Sequence, residues 1–306
     1  MKKNPDGLVR IRSLTDQHRM MGVSKPVNPL VSVLKFEEVG PIRTEETVKM
    51  TSDFYAVALK KHCDCKIKYG QTYYDFDEGV MSFAAPHQVF TWEAGSTMAS
   101  AGWLLTFHAD FIRNSPLGSK IREYGFFDYA INEALILSEE EETALENLYQ
   151  TLDRETRLPI DAFSQEIIVS QIDLLLKYCN RFYTRQFITR RVVHHDLLAR
   201  FDAILTEYVN SDQLPESGPP TVAHLADRLN LSPKYLSDLL RNLTGQSTQQ
   251  HIHEKLIEKA KQILTTTNLS VSEIAYRLGF EYPQSFNKLF RNKTELSPLE
   301  FRQSFN

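Results

Sequence analysis

The sequence predicts an α+β protein of two domains: a small β-barrel or sandwich closed by two helices, then an all-α domain. Three observations lead there. Residues 30 to 108 consist of short β-branched and aromatic runs broken by Gly and Pro. From Ser138 onward the apolar residues recur at three and four instead. Past a Pro- and Gly-rich stretch, one helix–turn–helix pattern is written twice.

The strand runs are "VSVLKFEEV", "DFYAVALKK", "CKIKYG", "QTYYDF", "GVMSFAAP", "HQVFTWE" and "GWLLTFHADF". Gly70, Gly79, Pro86, Gly95 and Gly102 punctuate them, at the roughly ten-residue spacing of a barrel or sandwich. "SEEEETALENLYQTLDRE" then opens with Ser138 as N-cap and acids in a solvated first turn, where the helix dipole favours them. Leu145, Leu148 and Leu152 line its inner face. The next helix, from Asp161 to about Phe187, has a stripe including Phe163, Ile167, Ile168, Ile172, Leu175, Leu176 and Phe182. That stripe is wider than one core seam needs. A partner chain is expected on the excess, with Ile168, Ile172, Leu175 and Leu176 as the dimerisation residues.

"VNSDQLPESGPPT", residues 209 to 221, has no apolar period and reads as linker. The expected division is 1 to 190, a linker including a helix over 191 to 220, and 221 to 306.

In the first repeated unit Val222, Leu225, Ala226 and Leu229 share one helix face. Ser232 and Pro233 start the second helix, which buries Leu236, Leu239, Leu240 and Leu243 and ends at Gly245. Lys234, Ser237, Asp238 and Arg241 fall outside. In the second unit Val271, Ile274, Ala275 and Leu278 face inward, Gly279 turns the chain and Pro283 opens the next helix. Phe286, Leu289 and Phe290 are inner; Gln284, Asn287, Lys288 and Arg291 are outer. Amide, hydroxyl and cationic groups in such a row are those that read base edges in a major groove. Between the units, Ile252, Leu256, Ala260, Ile263 and Leu264 predict one stiff helix, long enough to hold two readers about one DNA turn apart.

The charge agrees in sign. Residues 221 to 306 hold 11 Lys and Arg against 8 Asp and Glu, a net of +3, while the remainder nets −7. No run of 18 apolar residues predicts a membrane span, and the basic start lacks an apolar segment behind it. With only three cysteines, reduced thiols and a cytoplasmic address are expected.

"IAYRLGFEYPQSFNKLFRNKTELSPLEFR" resembles the C-terminal signature of AraC/XylS-type transcription regulators. The matching residues are Ile274, Ala275, Gly279, Phe280, Phe286, Phe290, Arg291, Ser297, Pro298, Phe301 and Arg302. "LADRLNLSPKYLSDLLRNLTGQS" and "KLIEKAKQIL" are similar to the family's first unit and connecting helix. The resemblance implies base-facing positions at Lys234, Ser237, Asp238 and Arg241, and at Pro283, Gln284, Asn287 and Lys288. It implies promoter DNA, a homodimer, RNA polymerase and a small effector as partners, and a cupin-like barrel over the N-terminal strands. Two residues depart from the pattern. Asp238 stands where the family often has Arg or another polar donor, and Glu295 where it usually has Gly, so a different turn is expected there.

Tyr73, Phe83, His87, Trp92 and Trp103 are the candidates for an effector pocket, with barrel core as the alternative role of the aromatics. No cofactor or metal is expected. "HCDC" at 62 to 65 has no second Cys pair, and no His-x-His lies among the strands. The competing reading is a cupin-type enzyme or ligand-binding protein with a helical partner-binding tail.

Overall fold

The computed structural model describes residues 8–39, 46–61, 67–69, 72–74, 79–92, 101–130, 133–189 and 191–304, with backbone alone at 67–69, 72–74, 92 and 191–195. The strands are β1 (Leu8–Ile11), β2 (Val31–Lys35), β3 (Val48–Ser52), β4 (Phe54–Lys61), β5 (Ile67–Tyr69), β6 (Thr72–Tyr74), β7 (Val80–Ala84), β8 (Val89–Trp92), β9 (Ala101–His108) and β10 (Leu135–Ile136). Helices of the same half are α1 (Leu14–Met21), α2 (Ala109–Ile112), α3 (Pro116–Lys120), α4 (Glu139–Arg157) and α5 (Ser164–Thr189). The rest of the chain is helical: α6 (Arg191–Asn210), α7 (Leu214–Ser217), α8 (Val222–Leu229), α9 (Pro233–Thr244), α10 (Thr248–Thr266), α11 (Val271–Arg277), α12 (Pro283–Thr294) and α13 (Pro298–Gln303). Two compact units result, residues 1–186 and 187–306.

In the first unit a five-stranded sheet runs β10-β7-β4-β9-β2 and a three-stranded one β1-β3-β8; β5 and β6 form a hairpin. Among the described residues the sheets do not close into a barrel, so the α+β class holds and a closed cupin-like barrel is not seen. One face of the large sheet carries Val57, Leu59, Met81, Trp103 and Leu105, all buried. Helix α4 packs on it, and Tyr149 reaches through to donate to the Val57 carbonyl at 3.0 Å. Ser138 and Glu141 cap α4 reciprocally. The four acids are not simply a solvated turn: Glu141 pairs with Arg185, and Glu142 with Lys61 while accepting from Gly79 N–H.

The second unit is built round α10, whose Ile252, Leu256, Ala260, Ile263 and Leu264 are all buried. Helix α6 packs Phe201, Leu205 and Val209 into the same core. Leu214 of α7 joins them, and Tyr208 donates to the Gly218 carbonyl at 3.2 Å. The segment read as linker is therefore packed chain; a four-residue helix is too short to show an apolar period.

Candidate nucleic-acid interface

The two halves of the helical unit repeat each other down to the hydrogen bonds. After α8, Asn230 adopts the left-handed conformation, its N–H donates to Asp227 and that of Leu231 to Ala226. After α11, Gly279 does the same, donating to Tyr276, while Phe280 donates to Ala275. Both are Schellman turns, which satisfy the last carbonyls of one helix and aim the chain into the next. Ala226 and Ala275 are fully buried at the same point of each turn, where a larger side chain would hold the two helices apart.

The second helices also start and stop alike. Ser232 caps α9 by accepting from Tyr235 N–H, and Pro233 takes the first turn. Pro283 opens α12 one residue later in its turn, without a side-chain cap. Both end on a left-handed residue, Gly245 bonding to Arg241 and Glu295 to Arg291. Ser247 and Ser297 then build capping boxes with Gln250 and Glu300 for α10 and α13. Glu295, with φ of 63°, thus makes the turn that Gly makes in the first unit, in place of the different turn expected there. A side chain in that conformation costs about 1–2 kcal/mol. Glu295→Gly is expected to raise the unit's stability by about 1 kcal/mol, since glycine's extra unfolded-state freedom offsets part of the gain. A higher urea midpoint for the helical transition checks it.

The outward rows differ in charge. On α12, Gln284, Asn287, Lys288 and Arg291 are exposed, and none hydrogen-bonds or pairs with another described side chain. Their donors and acceptors are open to a partner. Pro283 is half-buried at the helix start, where its ring shapes the turn. A shallow groove of about 560 Å³ lies beside the row, lined also by Asn292 and Leu299. Asn292 follows Lys288 by four residues on the same face, so helical spacing alone could have added it to the expected set. On α9 the row is engaged. Asp238 stands 3.2 Å from Lys234 Nζ and 3.6 Å from Arg241 Nη1, and Ser237 Oγ is 3.1 Å from Thr248 Oγ1 at the start of α10. One carboxylate between two cations leaves this row a net +1, against +2 for Lys288 and Arg291.

The other candidates fall as follows. Phe83 lines a cavity in the N-terminal unit. Trp103 shares its register face of the sheet with Phe83 but does not line the cavity; it is stacked on Tyr149 with ring centroids 5.9 Å apart. His87 is an exposed turn residue, φ 68°, with Nδ1 3.3 Å from Asp53. The side chains of Tyr73 and Trp92, and the whole "HCDC" motif, lie outside the described residues. Ile168, Ile172, Leu175 and Leu176 are buried within the chain, so a partner cannot reach them. The exposed large apolar residues of α5 are Ile167, Leu174 and Ile188, with Phe163 exposed just before the helix. Cys179 is a buried thiol whose pKa burial pushes far up. No helix among the described residues is long and apolar enough to cross a membrane.

Residues 225–304 match the family model described as a helix-turn-helix domain. A regulator from Bacillus subtilis named YfiF, an uncharacterized HTH-type transcriptional regulator, is 30% identical over 166 residues, 52% of this chain and 49% of its own. The HTH-type transcriptional activator RhaS of Escherichia coli is 30% identical over 151 residues, 49% of each chain. The chain thus spans about half the length of the curated relatives it matches. Among solved structures, the DNA-binding domain of AdpA, in complex with a target DNA, is 28% identical over 35% of this chain and 91% of its own, with a TM-score of 0.31.

Proposed function

Since residues 225–304 are an AraC-type helix-turn-helix domain, we propose that the whole chain is a transcription regulator that reads a specific site in double-stranded promoter DNA. One observation supports it above the others: the unpaired row Gln284, Asn287, Lys288 and Arg291 on the second helix of a helix–turn–helix. Gln and Asn match the adenine edge, Lys and Arg the guanine edge. Helix α10, at 19 residues, is about 28 Å long, a spacer compatible with readers in consecutive major grooves. The α9 row adds less base readout, because its cations are held by Asp238.

Site selection from random DNA, followed by titration against the selected and a scrambled duplex, tests this. Gln284→Ala and Lys288→Ala should each weaken the selected site by about 1–3 kcal/mol relative to the scrambled one. Equal losses on both duplexes would reduce them to phosphate contacts. In the same titrations Asp238→Asn should release Lys234 and Arg241, tightening scrambled DNA and steepening the salt dependence by about one counterion.

The N-terminal unit, on this reading, is the cupin-like sensor of a small effector, and the protein works in the cytoplasm beside RNA polymerase as a regulator and not as an enzyme. Two chains meet through the first half of α5, on exposed Ile167 and Leu174 together with Phe163 just before the helix. Sedimentation equilibrium at micromolar concentration should give a dimer that Phe163→Lys returns to monomer; a wild-type monomer would sink the idea.

A further inference from the structure

The first unit holds a partly open cavity of about 380 Å³. Its floor is the face of the large sheet turned away from α4. There the neighbouring register positions Ala56, Ala58, Ser82 and Ala84 all carry small side chains, so a hollow remains that a packed core would fill. Most of the remaining wall is apolar and aromatic.

Three polar groups at this wall lack partners. Lys60 continues the row of Ala56 and Ala58 and makes no ion pair with a described residue. It is half-buried, and burial pushes its pKa down with no neighbouring carboxylate among the described residues to offset it. Gln17 donates through Nε2 to Thr106 Oγ1 at 3.2 Å, which leaves its Oε1 buried and unbonded. Thr51 Oγ1 is buried and unbonded as well. A buried polar atom left without a partner is costly, and native chains leave few of them.

Lys60 and Gln17 sit at two ends. Thr106, which fixes Gln17, pairs in register with Ala56, and Ala56 is four residues along β4 from Lys60. At the rise of a strand that is about 13 Å. The hollow is thus an apolar trough with a cation at one end and, at the other, the Gln17 side-chain carbonyl without a partner.

We propose that this cavity binds a largely apolar hydroxy acid, its carboxylate on Lys60 and its distal hydroxyl donating to Gln17 Oε1. A single cation suits a monoanion, and the apolar wall excludes a sugar or a nucleotide. The inference deepens the effector reading above, and rests on it only for the consequence at the DNA.

The test is calorimetric titration of the full chain with 10-hydroxydecanoate, decanoate and 1,10-decanediol. The hydroxy acid should bind once per chain, with the diol at least tenfold weaker. Lys60→Met should cost both acids at least tenfold and leave the diol unchanged. Gln17→Leu should bring the hydroxy acid down to decanoate. Ala58→Leu, which fills the trough without touching a polar group, should weaken all three. No binding of either acid at millimolar concentration, or equal binding by wild type and Lys60→Met, overturns the proposal. DNA titration with and without bound acid separates the two readings: saturable acid binding that leaves DNA affinity unchanged would keep this site and remove the sensor role.

Discussion

Gly279→Ala is expected to destabilise the helical unit by about 3 kcal/mol or more, the largest effect of any single methyl group added to it. Two costs combine. The backbone there has φ of 77°, which a side chain adopts at about 1–2 kcal/mol. A Cβ would also stand 2.4 Å from the Leu214 carbonyl oxygen and 2.7 Å from Gly218 Cα. Both are backbone atoms, so no side chain can swing aside, and overpacking of that kind costs about 1–3 kcal/mol. Gly245→Ala is the control. Its φ is 78°, yet nothing lies within 4 Å of the added carbon, so it should lose only the conformational cost. Amide exchange in α11 and α12, compared with α4, reads the difference locally and avoids treating the chain as a single cooperative unit. Equal losses in the two variants would show that close packing against α7 contributes nothing. Because Gly279 aims α12, the variant should also lose the preference for a selected DNA site before it loses binding to scrambled DNA.

The same residue shows what was legible in the sequence. Gly279, Ala226 and Ala275 are read directly, because only small residues or positive φ suit such positions. The matching turn of the first unit was less visible: Asn230 does there what Gly279 does in the second, and asparagine has many other uses. The inner and outer rows of α9 and α12 followed from helical spacing. That Asp238 engages both cations of its row is a matter of rotamers, which spacing alone does not fix. In the N-terminal unit the strands were legible, their facing was not. "GWLLTF" is apolar but for Thr106 and buried on both sides, so it has no alternation to tell which face holds Trp103 and which the cavity. The broad stripe on α5 failed for a related reason. It promised two contacts, yet nothing in it marks which sector meets the protein's own core, and the four residues expected outside proved to be inside.

Arg302→Ala should cost about 3 kcal/mol of stability in the helical unit, although the residue touches no candidate base-reading side chain. Its guanidinium donates through Nε to the Leu264 carbonyl at 3.1 Å and through Nη2 to that of Leu269 at 2.6 Å. Leu264 lies in the last turn of α10, where the carbonyls have no helical partner and the dipole favours a cation. Leu269 precedes α11. One planar fork thus ties the end of the spacer, the start of the second unit and α13 together, and a hydrogen bond to a charged group contributes about 1.5–3 kcal/mol. Phe301 beside it closes the ring cluster of Phe280, Phe286 and Phe290. The Phe–Arg pair near the end of the signature is therefore a clamp that sets where α12 sits on α10. Arg302→Lys should recover less than half of the loss, since an ammonium cannot serve both carbonyls in the same geometry. Urea melts give the stability, and DNA titration gives the consequence: selectivity should fall while affinity for scrambled DNA, which rests on the unit's overall positive charge, falls little. If Arg302→Ala melts within about 0.5 kcal/mol of wild type, as an ordinary surface change would, the second reader is held by its aromatic core alone.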